Sequence, residues 1–150
     1  MLRRLRFIAA LGLLATLLTA SVGTTSAGAK AIFDSSLVGI PTGGLVLDGI
    51  TGGGVPWSIN AGRAVVTDDG RLSVTVQGLV VTSSGVNPIP TGRAAVVCAG
   101  TVVATSDVVD FSPTGNAQVN TTVSLPSPCL DLAVFFLNGA GTRWFAVTGL

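Results

Sequence analysis

Cys98 and Cys129 are the residues of this chain best suited to forming a specific covalent contact. The sequence contains no other cysteine and no histidine, so the pair lacks the partners of a zinc site or of an activated thiol. In an oxidising compartment the two are expected to form an intrachain disulfide. Such a bond would close about 32 residues and stabilise the fold by roughly 3–4 kcal/mol.

The acidic residues, all aspartates, offer few arrangements for acid–base or metal chemistry. Asp68 and Asp69 are neighbours in a predicted turn and point apart, whereas a hydrolase needs two carboxylates that face each other. Asp107 and Asp110 would lie on opposite faces of an extended segment. With Asn116 they could line a calcium site held by loops, although solvated strand ends explain them better. We therefore predict no enzyme activity, no cofactor and no metal.

The aromatic pair Trp144 and Phe145 is the candidate contact surface. Neighbouring residues of a strand point to opposite faces, so one ring would face solvent and could contact a sugar ring or a partner protein. Arg143 would lie on the same face as Phe145 and flank it. The favoured interpretation of these aromatic residues is nevertheless that they belong to the hydrophobic core, and the exposed contact surface is the alternative.

The first 29 residues have the three parts of a secretory signal peptide. Three arginines occur within the first six residues, the apolar run Phe7–Leu18 follows, and Ala27 and Ala29 form an A-x-A cleavage site before Lys30. The apolar run is shorter than the roughly 20 residues of a spanning helix, so an uncleaved anchor is the less favoured alternative. We expect a secreted, extracellular protein, with the cell surface or periplasm as further possibilities.

The remaining chain has the charge and size of a single small domain. Its five cationic side chains face seven aspartates, a net charge of −2. This balance argues against nucleic acid and anionic lipid as partners, because both require clustered Lys and Arg. No membrane association is expected after cleavage.

Valine, threonine and regularly spaced glycine predict an all-β fold. Asp68–Gly70 is a hairpin signal, and the return strand alternates Leu72, Val74 and Val76 with polar residues. The predicted fold is an antiparallel β-sandwich of immunoglobulin-like shape with about seven to nine strands, and a small β-barrel is the runner-up.

We divide the exported part into two regions. Residues 30–54 form a Gly-rich N-terminal segment with weak strands, in which Gly52–Gly54 is a flexible link. Residues 55–150 form the β-sandwich domain. Its last two strands are expected to form a terminal hairpin that holds the C-terminus inside the sheet.

Several local phrases resemble small secreted bacterial proteins of unknown function. The resemblance implies a secreted β-domain, implies no activity and transfers no functional residue. The phrases are Val55–Trp57, Gly78–Val80, Arg93–Cys98, Leu125–Cys129 and Arg143–Ala146.

The function predicted from these observations is a non-catalytic binding or interaction module with a protein or glycan partner. The alternative is a self-assembling structural surface protein, because low charge and strands that are apolar on both faces favour edge pairing, starting with the terminal hairpin. A weaker alternative is a carrier of a small apolar ligand.

Overall fold

A computed structural model of the chain describes residues 28–150, and this part is all-β and antiparallel. Thirteen strands and no helix occur in it. No segment of residues 28–150 forms a helix with the length and apolar character needed to cross a bilayer. The strands are β1 Ala31–Gly39, β2 Val46–Leu47, β3 Ile50–Thr51, β4 Trp57–Ser58, β5 Ala61–Thr67, β6 Arg71–Gln77, β7 Val80–Val81, β8 Thr91–Cys98, β9 Thr101–Thr105, β10 Val109–Asp110, β11 Ala117–Thr122, β12 Ala133–Asn138 and β13 Trp144–Thr148.

Nine of these strands form one curled sheet. Its order is β10-β8-β12-β13-β1-β5-β6-β11, and β9 also pairs with β8. The sheet bends into a half-barrel, so that its two halves face each other across a shared hydrophobic core. The prediction of an all-β fold of the sandwich or barrel kind is confirmed.

Strand β1 connects the two halves of the sheet. Its first part pairs with β5, with Phe33 opposite Val66, and its last part pairs with β13, with Leu37 opposite Thr148. Nine residues of the Gly-rich N-terminal segment therefore form a strand in the middle of the sheet, where the sequence indicated only weak strands. The sequence of β1 was hard to recognise as one strand because β1 changes its pairing partner from β5 to β13 halfway along.

The predicted hairpin around Asp68–Gly70 is confirmed. Strands β5 and β6 pair in regular antiparallel register, and Gly70 adopts a φ of +83° in the turn between them. Leu72, Val74 and Val76 are buried, and the residues between them face outward. Strand β11 repeats this alternation on the other side of β6, as its sequence predicts.

The terminal hairpin is confirmed, and it lies inside the sheet. Strand β13 pairs with β12 on one side and with β1 on the other, and all five of its residues are buried. The terminal hairpin is therefore not an edge at which another chain could pair with β13. Within residues 28–150 the edges of the main sheet are β11 at one end and β9 with β10 at the other.

Four aromatic rings form the centre of the core. Trp57 packs against Phe145 with ring centroids 4.3 Å apart and against Phe111 at 6.5 Å. Phe111 meets the edge of Phe136 at 5.1 Å. Aromatic pairs in these geometries add roughly 0.5–1.5 kcal/mol each to the effect of burial.

The Gly-rich segment that precedes β4 is part of the packed structure. Gly52 forms an isolated bridge with Trp144, and the Gly53 amide donates to the Trp144 carbonyl at 2.9 Å. Both glycines are buried, because the backbone passes close to Trp144 and Phe145 and leaves no room for a Cβ atom. The expectation of a flexible link at Gly52–Gly54 is wrong for Gly52 and Gly53.

Cys98 and Cys129 form the predicted disulfide. Their sulfur atoms are bonded at 1.96 Å, and their Cα atoms lie 5.2 Å apart. Cys98 is the last residue of β8, and Cys129 belongs to the segment between β11 and β12. The bond therefore fastens this long connection to the middle of one half of the sheet.

Candidate binding surface

The candidate contact surface at Arg143, Trp144 and Phe145 is not an exposed aromatic platform. Trp144 is 0% and Phe145 4% exposed, so the core interpretation of both rings is confirmed and the alternative that one ring faces solvent is wrong. The Trp144 indole N–H donates to the Ile50 carbonyl at 3.1 Å. Arg143 is exposed, and one of its guanidinium nitrogens lies 3.5 Å from the Gly52 carbonyl.

The covering of these rings has a clear structural reason. Neighbouring strand residues do point to opposite faces, but both faces of β13 are covered in this fold. Phe145 packs on Trp57 in the core, and the Gly-rich segment lies over Trp144 on the other side. The alternative of an exposed ring fails because it required one face of β13 to be open to solvent.

The predicted cleavage residues fall partly outside the described chain. Ala27 lies outside the described residues, and so does the predicted signal peptide up to that point. Ala29 and Lys30 are exposed and precede β1. The Lys30 backbone nitrogen donates to the Asp68 carboxylate at 2.9 Å.

The aspartates mainly stabilise turns and surface contacts. Asp69 accepts a hydrogen bond from the Thr67 hydroxyl, which holds the pKa of this carboxyl below its ordinary value. Asp34 pairs with Arg63, and this hydrogen bond lowers the Asp34 pKa in the same way. No cluster of three or more His, Cys, Asp or Glu suited to a metal occurs within residues 28–150.

Of the three residues considered for calcium, the structure brings two together. Asp110 and Asn116 line the same pocket, and Asp107 is not part of its lining. The Asn116 carboxamide is occupied by protein contacts, because its oxygen accepts from the Gly78 amide at 3.0 Å and its nitrogen donates to Thr114 at 3.1 Å.

That pocket, here called the loop pocket, has a volume of about 420 Å³. It lies where the connection from β7 to β8 meets the connection from β10 to β11. Prolines supply much of its wall, and Asp110 is its charged residue. Its lining residues are Asn87, Pro88, Ile89, Pro90, Asp110, Phe111, Ser112, Pro113 and Asn116.

Asn87 fixes the shape of the loop pocket. Its side-chain nitrogen donates to the carbonyls of Ile89 at 2.7 Å and Ser112 at 2.8 Å, and its oxygen accepts from the Ile89 amide at 2.8 Å. The Asn87 backbone amide also donates to the Pro113 carbonyl at 2.8 Å. The side chain is buried, so its hydrogen-bonding groups hold the two loops together and do not face a ligand.

A second depression, here called the amide groove, runs beside the loop pocket and has a volume of about 780 Å³. It crosses the outer face of β6 and β11. Four carboxamides and two threonine hydroxyls line it, and charged side chains do not contribute. Its lining residues are Asn60, Thr75, Val76, Gln77, Gly78, Thr114, Asn116, Ala117 and Gln118.

The strand register explains why these side chains meet. Gln118 of β11 lies directly opposite Thr75 of β6, and Gln77 follows Thr75 on the same face two residues later. Asn60 lies next to this row, because its backbone amide donates to the backbone carbonyl of Gln77 at 3.0 Å. Asn60, Gln77 and Gln118 are exposed, so their amides are available to a ligand.

Asn116 lines both depressions and joins them into one surface. On one side lies a largely apolar, rigid pocket, and on the other a neutral hydrogen-bonding groove. Such a surface can bind and orient a ligand. The chain has no histidine, and no carboxylate lines the amide groove.

The residues of this surface were not predicted from the sequence. Asn87 precedes a proline, and such a pair marks a turn without showing what the asparagine binds. Asn60, Gln77 and Gln118 looked like ordinary polar residues of strand ends and outer faces. Only the pairing of β5, β6 and β11 brings them together.

Comparisons of this chain with protein-family models, with curated proteins and with solved structures give no match. The resemblance to small secreted bacterial proteins therefore stays an expectation from the local phrases.

Proposed function

We propose that this protein is a secreted, non-catalytic binding module that recognises a neutral glycan through the amide groove and the adjoining loop pocket. A disulfide-bonded all-β fold is compatible with an extracellular location. In the immunoglobulin-like sandwich that we propose as the fold type, loops at one end of the sheets commonly bind ligands.

The chemistry of the amide groove carries this proposal. A carboxamide has both donor and acceptor groups, and so does each hydroxyl of a sugar. Gln77 and Gln118 lie in paired strands and Asn60 directly precedes β5, so three exposed carboxamides lie close together. Because the paired strands hold the backbone of Gln77 and Gln118, little backbone conformational entropy is lost when a ligand binds.

Charge favours a neutral ligand over a charged one. Of the nine residues that line the groove, none is charged, and Asp110 is the one charged residue of the loop pocket. No guanidinium or ammonium group lines the groove, and the neighbouring Arg63, which lies opposite Thr75 on β5, is paired with Asp34. The apolar wall around Ile89, Pro90 and Pro113 would contact the less polar face of a sugar ring.

The test is a glycan array followed by calorimetry of the glycans that bind. Asn60→Ala and Gln118→Ala should each weaken binding by up to about tenfold, since a neutral hydrogen bond contributes roughly 0.5–1.5 kcal/mol. Asn120→Ala is the matched control, because Asn120 is an exposed amide on the same strand as Gln118 and lies outside the groove.

The substitutions avoid Asn87 and Asn116, whose side chains hold the loops in place. An array without any bound neutral glycan would refute the proposal. Equal losses in Asn120→Ala and in the groove variants would also contradict it, because the groove would then have no special part in binding.

Edge strand β11 supports the second candidate function, self-assembly at an exterior surface. Its six residues carry no charge and no proline, and they pair with β6 in regular register without a bulge. Edge strands of natural proteins usually carry a charge, a proline or a bulge that prevents pairing with another chain. Asn120→Lys would place a charge on this edge.

Light scattering over a concentration series separates the two candidates. Self-assembly through β11 predicts a mass that rises with concentration in the wild type and stays at one chain in Asn120→Lys. A mass of one chain at all concentrations in the wild type would exclude this second candidate.

A further inference from the structure

The backbone of Lys30 and the backbone and side chain of Asp68 form a reciprocal pair of hydrogen bonds. The Lys30 nitrogen donates to the Asp68 carboxylate at 2.9 Å, and the Asp68 amide donates to the Lys30 carbonyl at 2.8 Å. Ala31 then pairs with Thr67 as β1 begins. The carboxylate of a turn residue thus meets the chain immediately before its first strand.

Gly28 and Ala29, the two described residues before Lys30, make little contact with the fold. Gly28 and Ala29 are exposed and lie outside any strand. A Cβ atom placed on Gly28 would find no atom within 4 Å. Their removal would therefore take no packing away from the sheet.

We propose that the mature chain begins at Lys30 and that its new α-ammonium group forms an ion pair with Asp68. This inference rests on the predicted signal peptide and is independent of the glycan proposal. Hydrolysis of the Ala29–Lys30 bond by a peptidase consumes one water, leaves a carboxylate on Ala29 and gives Lys30 an amine that is protonated at neutral pH. The hydrogen bond that the amide makes to Asp68 then becomes a charge-assisted one.

The charged groups around this position are few. Asp68 and Asp69 lie on the turn between β5 and β6, and Asp69 is paired with Arg71. The side chain of Lys30 is the other cation nearby. The segment 123–129, which faces the turn across a shallow groove, contributes Ser, Leu, Pro and the disulfide but no charge.

The experiment expresses the full chain in a secreting bacterial host and determines the N-terminus of the product by intact mass. Thermal unfolding of this product is then followed between pH 6 and pH 10 for the wild type, for Asp68→Asn and for Asp110→Asn as a control. The α-amino group titrates in this range, and the sequence contains no histidine and no tyrosine.

An amine that gains an acidic partner has a raised pKa, so its contribution is present at pH 6 and lost as the pH rises through that pKa. The wild type should therefore unfold about 2–4 °C above Asp68→Asn at pH 6, and this difference should fall by at least half at pH 10. The difference between the wild type and Asp110→Asn should not change with pH in this range.

A product that starts at any residue other than Lys30 would overturn the inference. A product that starts at Lys30, but with a difference between wild type and Asp68→Asn that is constant from pH 6 to pH 10, would overturn the ion pair. Neither result affects the glycan proposal, which the array tests separately.

Discussion

The Asn87 side-chain nitrogen lies 2.8 Å from the carbonyl oxygen of Ser112, which is 25 residues away in the sequence. This contact joins the connection between β7 and β8 to the connection between β10 and β11. Together with the bonds from Asn87 to Ile89 it closes the wall of the loop pocket. The stability of the domain and the shape of its proposed binding surface therefore depend on the same side chain.

Asn87→Ala should lower the free energy of unfolding by about 2–4 kcal/mol, because it removes three partly buried hydrogen bonds and leaves the Ile89 amide and carbonyl without their partner. Urea unfolding followed by tryptophan fluorescence measures this. Asn120→Ala, which loses one exposed bond to Ser73, should cost less than about 0.5 kcal/mol. Similar costs for both variants would show that the Asn87 bonds do not hold the loops.

Removing the disulfide in the double variant Cys98→Ala, Cys129→Ala should lower the free energy of unfolding by roughly 3–4 kcal/mol, because the unfolded chain gains loop entropy. Denaturant midpoints of the variant and of the oxidised protein give the difference. Reduced wild-type protein should behave like the variant. If the variant kept the stability of the oxidised protein, the long connection would be held by its other contacts alone.

Gly52→Ala should destabilise the fold by about 1–3 kcal/mol, since a Cβ atom there would press on Ile40 and on the Trp144 ring at 3.3 Å. Gly54→Ala is the matched control, because a Cβ atom at Gly54 meets no atom within 4 Å. This control should be neutral or slightly stabilising. Thermal unfolding of both variants decides, and equal melting temperatures would mean that the segment is not packed against Trp144.

The thermal stability should fall in acid, beginning below the ordinary Asp pKa of about 3.9. Arg63 lowers the pKa of Asp34, and Thr67 lowers that of Asp69. A carboxyl whose pKa is lower in the folded protein than in the unfolded chain stabilises the fold at pH values above its unfolded pKa. This contribution is lost as the pH falls through the pKa of the folded state. Melting temperatures from pH 6 to pH 2 should decline less steeply in Asp34→Asn and in Arg63→Gln. Unchanged slopes in both variants would contradict this assignment.

Local patterns predicted local structure well. The hairpin at Asp68–Gly70 and the alternation in β6 and β11 depend on residues that are close in the sequence, and both were found. The predicted disulfide needed only two cysteines and an oxidising environment. These features carry their signal within one or two strands.

The features that were missed depend on residues far apart in the sequence. Trp144 is covered by a segment more than ninety residues earlier in the chain, as its bond to Ile50 shows, so the alternation within β13 could not reveal its burial. The amide groove likewise needs Asn60, Gln77 and Gln118 to meet across three elements. The residue pattern within a single segment does not show which residues of distant segments lie beside it.

The central position of β13 also has a consequence for the order in which the protein can fold. Until Trp144–Thr148 is available, β12 and β1 have no common neighbour, and the sheet exists only as two separate halves with open edges. Pairing between Leu37 and Thr148 joins residues near opposite ends of the described chain, a contact of high sequence separation that slows folding. A nascent chain still lacking these five residues could not complete the sheet, and its two halves would keep their open edges.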